Sequence, residues 1–292
     1  KECSVLTGEK LMHAGLDLAT GWPQLLAKAE LLADSFVTGG HGRRRAGFGD
    51  TFWQFRPARE GDHLKEIDWR KTARSDDKFV REHEWQVAQS IQFWVDSSAS
   101  MQFSSCGESK HVRAACLTLA LAILLTNAGE RVGTVDGKVS IKSGHQQVHK
   151  IAQLLTMEAN TDFGIPEIDY FQPNSHVIFA SDFFGEIKQI RKAVRVAAEL
   201  QISGMLLMVL DAKEISFPYT GRTVFESMAG IIRHESQKAD SLKSKYQAAL
   251  LDRKSQLASL AESVGWQFHC HTTNSSPTDA LIWLYQALEG RR

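Results

Sequence analysis

Cysteine is scarce in these 292 residues. Only Cys3, Cys106, Cys116 and Cys270 occur, and no two form a Cys-x-x-Cys pair, which removes a zinc ribbon and a thioredoxin-type redox pair. Such sparse, irregular spacing suits a reducing, cytoplasmic compartment better than a disulfide framework. Net charge is missing too: 34 basic and 34 acidic side chains cancel, which argues against a protein whose main task is coating nucleic acid. With 6 prolines and 21 glycines the chain lacks the composition of a fibrous protein, and 43% hydrophobic residues exclude intrinsic disorder. The longest apolar run, residues 114–125, is broken only by Thr118. It falls short of the ~20 residues of a membrane span and predicts a buried helix. No signal peptide is visible, and a start at Lys1 rather than Met is compatible with a trimmed terminus.

Enzyme motifs are also lacking. There is no Gly-x-Ser-x-Gly elbow and no His-Glu-x-x-His. The stretch from Gly133 to Val139 has neither the spacing nor the terminal Ser or Thr of a phosphate loop.

What the chain does contain falls into three regions. Residues 1–40 carry apolar side chains at helical spacing (Leu25, Leu26, Ala29, Leu32, Ala33) and predict a helical region. Residues 41–89 are rich in Arg and Trp and alternate short strands with turns. Trp53, Trp69 and Trp85 are expected in the core of this small β-rich segment. Asp62, Asp68, Arg70 and Arg74 are expected to brace it through Arg–carboxylate pairs, with Arg70 and Arg74 facing a partner as the functional alternative. Between Arg43 and Arg81 eleven basic residues meet seven acidic ones, an excess of four that makes single-stranded nucleic-acid binding a minor hypothesis.

Residues 90–292 read as α/β. Strands are predicted over 90–95, 131–135, 139–142, 176–180, 205–210 and 266–271, with helices over 111–127, 146–157, 186–200, 236–264 and 278–288, and a hairpin over 216–228. Alternating strands and helices imply a mostly parallel sheet covered on both faces. Ligands on such sheets bind beyond the carboxyl ends of the strands.

Two predicted strands end in aspartate, Asp96 and Asp182, on that same edge. Asp96 opens an Asp-x-Ser-x-Ser pattern with Ser98 and Ser100, whose oxygens at i, i+2 and i+4 of a tight loop can converge. Carboxylate and hydroxyl oxygens are hard ligands suited to Mg or Mn. The bland alternative is a Ser-rich helix N-cap. His269 and His271 share one strand face and Cys270 the other, a pattern read as strand histidines rather than a metal cluster.

Asp96, Ser98 and Ser100 after an apolar strand resemble the metal-ion-dependent adhesion site of von Willebrand factor A domains. The resemblance implies a von Willebrand factor A-like fold and assigns Thr161 and Asp182 as the remaining metal residues, with a partner's acidic side chain as an added ligand. Phe183 stands where that family often has glycine, which implies bulk near the metal. The string Gly47-Phe48-Gly49-Asp50-Thr51-Phe52, Arg56, Arg59-Glu60-Gly61-Asp62, Ile67-Asp68-Trp69-Arg70, Thr72-Ala73-Arg74 and Arg81-Glu82-His83-Glu84 resembles the family known as domain of unknown function fifty-eight. That resemblance implies a MoxR-type AAA+ ATPase as partner. The expected function is a non-enzymatic, metal-dependent adaptor in protein assembly or maturation. A Mg-dependent phosphoester hydrolase is the alternative, resting on the two strand-end aspartates.

Overall fold

The computed structural model describes residues 45–47, 51–59, 63, 67–73, 78–85, 88–105, 107–157, 161–221, 223–226, 233–236 and 240–289. The expected helix within 1–40 lies outside them, as do Asp62 and Arg74. The chain divides into two compact units, residues 32–89 and residues 1–31 with 90–292.

In the smaller unit, β1 (Arg45–Gly47), β2 (Thr51–Pro57), α1 (Trp69–Thr72) and β3 (Phe79–Trp85) follow in chain order. The three strands form an antiparallel sheet in the order β1-β3-β2. Asp68 starts α1 by accepting the Lys71 amide at 3.0 Å, and its own amide donates to the Phe79 carbonyl at 2.8 Å. This is the N-cap role short acidic side chains favour. Ile67 and Val80 are buried, but Trp69 is 57% exposed, which corrects its expected place in the core. α1 has only one turn, and its position directly after the cap leaves the indole outside.

The larger unit runs β4 (Ser90–Val95), α2 (Lys110–Asn127), β5 (Arg131–Thr134), α3 (His145–Leu154), β6 (His176–Ser181), α4 (Ile187–Glu199), β7 (Ser203–Leu210), α5 (Ala212–Ser216), β8 (Thr223–Glu226), β9 (Arg233–Ser236), α6 (Asp240–Ser263), β10 (Gln267–Thr272) and α7 (Pro277–Glu289). Five strands form one sheet, β10-β7-β6-β4-β5, with every pair parallel. β8 and β9 pair antiparallel, so the hairpin expected over 216–228 starts later, and a short helix takes 212–216. Of the strand expected over 139–142, only a bridge from Lys142 to Val132 forms.

Alternation along the strands separates the two faces of the sheet. Val177 and Phe179 of β6 and Leu206, Met208 and Leu210 of β7 share a core with Ile190 and Val194 of α4 and Leu257 of α6. Trp266 closes that core, with its ring T-shaped to Phe179 at 5.6 Å and its indole N–H donating to the Ile202 carbonyl at 3.0 Å. The opposite face carries α2, buried over most of its surface as a helix apolar all round must be. Its cap is Ser109, whose hydroxyl accepts the Val112 amide at 3.2 Å, so the Asp96–Ser100 pattern does not serve as the cap of α2. Among the described residues no helix is long and apolar enough to cross a membrane.

Candidate functional site at the carboxyl edge of the sheet

β4 is an interior strand, flanked by the edge strand β5 and the central strand β6, so its end delivers Asp96 to the carboxyl edge between those two. The Asp96 amide is held by the Ala180 carbonyl at 2.9 Å, which continues the β4–β6 ladder one residue beyond the strand. Its side chain is buried, and both oxygens accept bonds: Oδ1 from the Ser98 amide at 2.9 Å and Oδ2 from the Ser181 hydroxyl at 2.7 Å. The first is a local Asx turn, the usual behaviour of an aspartate leaving a strand. It brings the Ser98 and Ser100 hydroxyls 3.3 Å apart.

A second loop closes over the first. The amides of Ala99 and Ser100 donate to the carbonyls of Thr161 and Asp162 at 2.8 and 3.0 Å. Gly164 then passes so near Asp96 that a β-carbon there would overlap the carboxylate. Thr161 is exposed on this loop. It lines, with Asp96 and Ser98, a cavity of about 340 Å³ whose other wall includes Trp94, Leu154 and Met157. From below, the buried ring of His111 lies between two carbonyls, Nδ1 3.0 Å from Asp96 and Nε2 2.8 Å from Leu155, tying β4 to the end of α3.

Asp182 follows a different course. Neighbouring residues at a strand end point to opposite sides. Ser181 therefore reaches Asp96, while Asp182 turns to Lys110, whose ammonium donates to Asp182 Oδ2 at 2.8 Å and to Glu214 Oε1 at 2.6 Å. Lys110 and Asp182 are both fully buried. The Asp182 Oδ1 accepts the Phe184 amide at 3.0 Å, and the other Glu214 oxygen accepts the Asp211 amide at 2.8 Å in the capping box of α5. Burial works against the ammonium, but Asp182 and Glu214 more than offset it, and the lysine is held above its ordinary pKa.

Phe183 has a left-handed backbone, φ 51°, an uncommon state for a residue with a β-carbon. Its side chain lies in the core, 6.5 Å from the Trp94 ring, so the expected bulk near the metal is absent at this residue. The ring beside the cation is Phe184, 5.1 Å from Lys110 Nζ.

The structure thus brings Asp96, Ser98 and Ser100 into one loop, with Thr161 on the same cavity. The hydroxyl pair fits a hard cation, because neighbouring ligands of an octahedral ion at about 2.1 Å stand roughly 3 Å apart. Asp96, with both oxygens bonded, fits a supporting carboxylate. Asp182 fits less well, since its oxygens are occupied by an amide and an ammonium. Among the described residues no three His, Cys, Asp or Glu side chains form a group that could hold a metal ion. His269 stacks on Trp283 at 4.8 Å, and His271 lies 3.5 Å from Arg113.

Sequence reasoning missed Lys110, Ser181, Glu214 and Gly164. Only Ser181 carried a usable signal, as the residue beside a strand-end aspartate. The other three come from segments whose approach depends on packing.

The chain is similar to uncharacterized proteins of mycobacteria, Rv1480 of Mycobacterium tuberculosis and Mb1516 of Mycobacterium bovis. Each is 25% identical over 232 residues, covering 73% of this chain and 71% of the relative. Among solved structures, the conserved hypothetical protein BatB from Bacteroides thetaiotaomicron aligns with 69% of this chain and 97% of its own, at 13% identity and a TM-score of 0.42. A family match runs from residue 54 to residue 256, and the chain belongs to the family described as protein of unknown function DUF58.

Proposed function

We propose that this chain is a non-enzymatic interaction protein, von Willebrand factor A-like in its larger unit, whose carboxyl sheet edge docks a partner with the help of Mg or Mn. The observation that carries this reading is the pair of interlocked loops. Ser98 and Ser100 present adjacent hydroxyls, Asp96 anchors them, and two backbone bonds hold the Thr161 loop against them. Hydroxyl ligands leave the positive charge of a bound ion largely uncompensated, so an acidic side chain from a partner is the favoured added ligand. A MoxR-type AAA+ ATPase is the proposed partner, in assembly or maturation of other proteins.

The hydrolase alternative has less support. A nucleophilic carboxylate needs a free oxygen facing substrate, and both oxygens of Asp96 accept internal hydrogen bonds. Calorimetric titration with Mg and with Mn tests the docking reading. The wild-type chain is expected to bind and Asp96→Ala to lose binding. Equal heats in the two would remove the site, and phosphate-ester turnover that needs Asp96 would restore the alternative.

A further inference from the structure

The cation that Asp182 holds in this structure is a side chain. Lys110 opens α2, the helix that covers one face of the sheet, and its ammonium is wholly enclosed. Two of its three protons go to Asp182 and Glu214, at 2.8 and 2.6 Å. The rings of Phe184 and Phe103 stand 5.1 and 6.0 Å from the nitrogen and supply a π surface to the same charge. Every element of this arrangement is pinned elsewhere: Asp182 by the Phe184 amide, Glu214 by the Asp211 amide, and Asp211 by the amides of Ser105 and Lys213 at 2.9 and 2.8 Å. The loop after β4, the end of β6 and the start of α5 therefore meet around one ammonium.

We propose that Lys110 is the resident cation of this half of the edge. Asp182 and Glu214 are its binding site, and Asp182 is a positioning residue for it rather than a metal ligand. A second, doubly charged ion at Asp182 would face the ammonium across a single carboxylate in a buried place, where repulsion is weakly screened. A divalent ion, where one binds, is therefore held on the Asp96–Ser98–Ser100 side. That last clause rests on the function proposed above; the Lys110 site itself does not.

Mn binding to the whole chain, followed by calorimetry and by electron spin resonance, separates the two ideas. Asp182→Asn keeps an acceptor for the Phe184 amide and is expected to bind Mn within about threefold of wild type, whereas Asp96→Ala loses binding. Lys110→Met leaves the buried Asp182 and the partly buried Glu214 without a counter-charge and is expected to gain Mn affinity by about tenfold or more. Loss of Mn binding in Asp182→Asn to the same degree as in Asp96→Ala overturns the proposal. If wild type binds no Mn, the docking reading fails alone. Lys110 is then judged by Lys110→Met, where a gained Mn site supports the proposal and no gain overturns it. Should Lys110→Met fail to fold, NMR of the wild-type Nζ decides. A signal protected from water exchange and unmoved by magnesium is expected; an unprotected or displaced signal rejects the resident cation.

Discussion

Gly164 lies against the carboxylate of Asp96 so closely that no β-carbon fits between them. The contact joins the Thr161 loop to the end of β4, and backbone bonds from Ala99 and Ser100 fasten the same join. Gly164→Ala is therefore expected to push the two loops apart. Its cost is about 1–3 kcal/mol, as for other overpacked interiors, and Mg affinity falls with it. Chemical denaturation and calorimetry on the same variant check both effects. Unchanged stability would mean that the loop yields without resistance.

His271 makes the larger unit sensitive to mild acid. It is buried, faces Arg113 and neighbours His269, and desolvation first, then those two groups, push its pKa from 6.5 down to about 4. The folded chain refuses a proton that the unfolded chain accepts. The contribution to stability is thus complete above pH 6.5 and is lost as the pH falls toward 4. The shift corresponds to about 3 kcal/mol. In denaturation curves at pH 7, 5.5 and 4.5, His271→Gln is expected to lose less stability than wild type over this window. Parallel losses would place the acid sensitivity elsewhere.

Cys116 is expected to be chemically silent in the folded chain. Burial above all, with Glu108 nearby, pushes its thiol up to about 12, so almost no thiolate exists at neutral pH. A thiol reagent at pH 7.5 should modify Cys116 only after unfolding, as read by peptide mass analysis. Rapid modification in native buffer would show that α2 opens readily.

Trp69 provides a test of the smaller unit. A core tryptophan costs about 3–5 kcal/mol when cut to alanine, but an exposed one stays near ±0.5 kcal/mol. With 57% of its surface exposed, Trp69 is expected to follow the second pattern. Thermal denaturation of Trp69→Ala distinguishes them, and a drop of many degrees would place the ring in contact with something.

The sequence alone determined most strands and helices of the larger unit and the edge of the sheet that carries Asp96 and Asp182. Apolar runs ending in Asp96 and Asp182 predicted β4 and β6 to within a residue, because buried parallel strands must be apolar on both faces. The Asp-x-Ser-x-Ser turn was legible for a similar reason: its geometry comes from bonds within five residues. What lay beyond local pattern was the partner of each carboxylate. Ser181 and Gly164 reach Asp96 from 85 and 68 positions away in the chain, and Lys110 reaches Asp182 across 72. Such meetings depend on strand order and on how deeply α2 settles on the sheet, neither of which a local pattern encodes. Periodicity could place two aspartates on one edge; only the packed structure decided that one supports a pair of hydroxyls and the other holds a buried lysine.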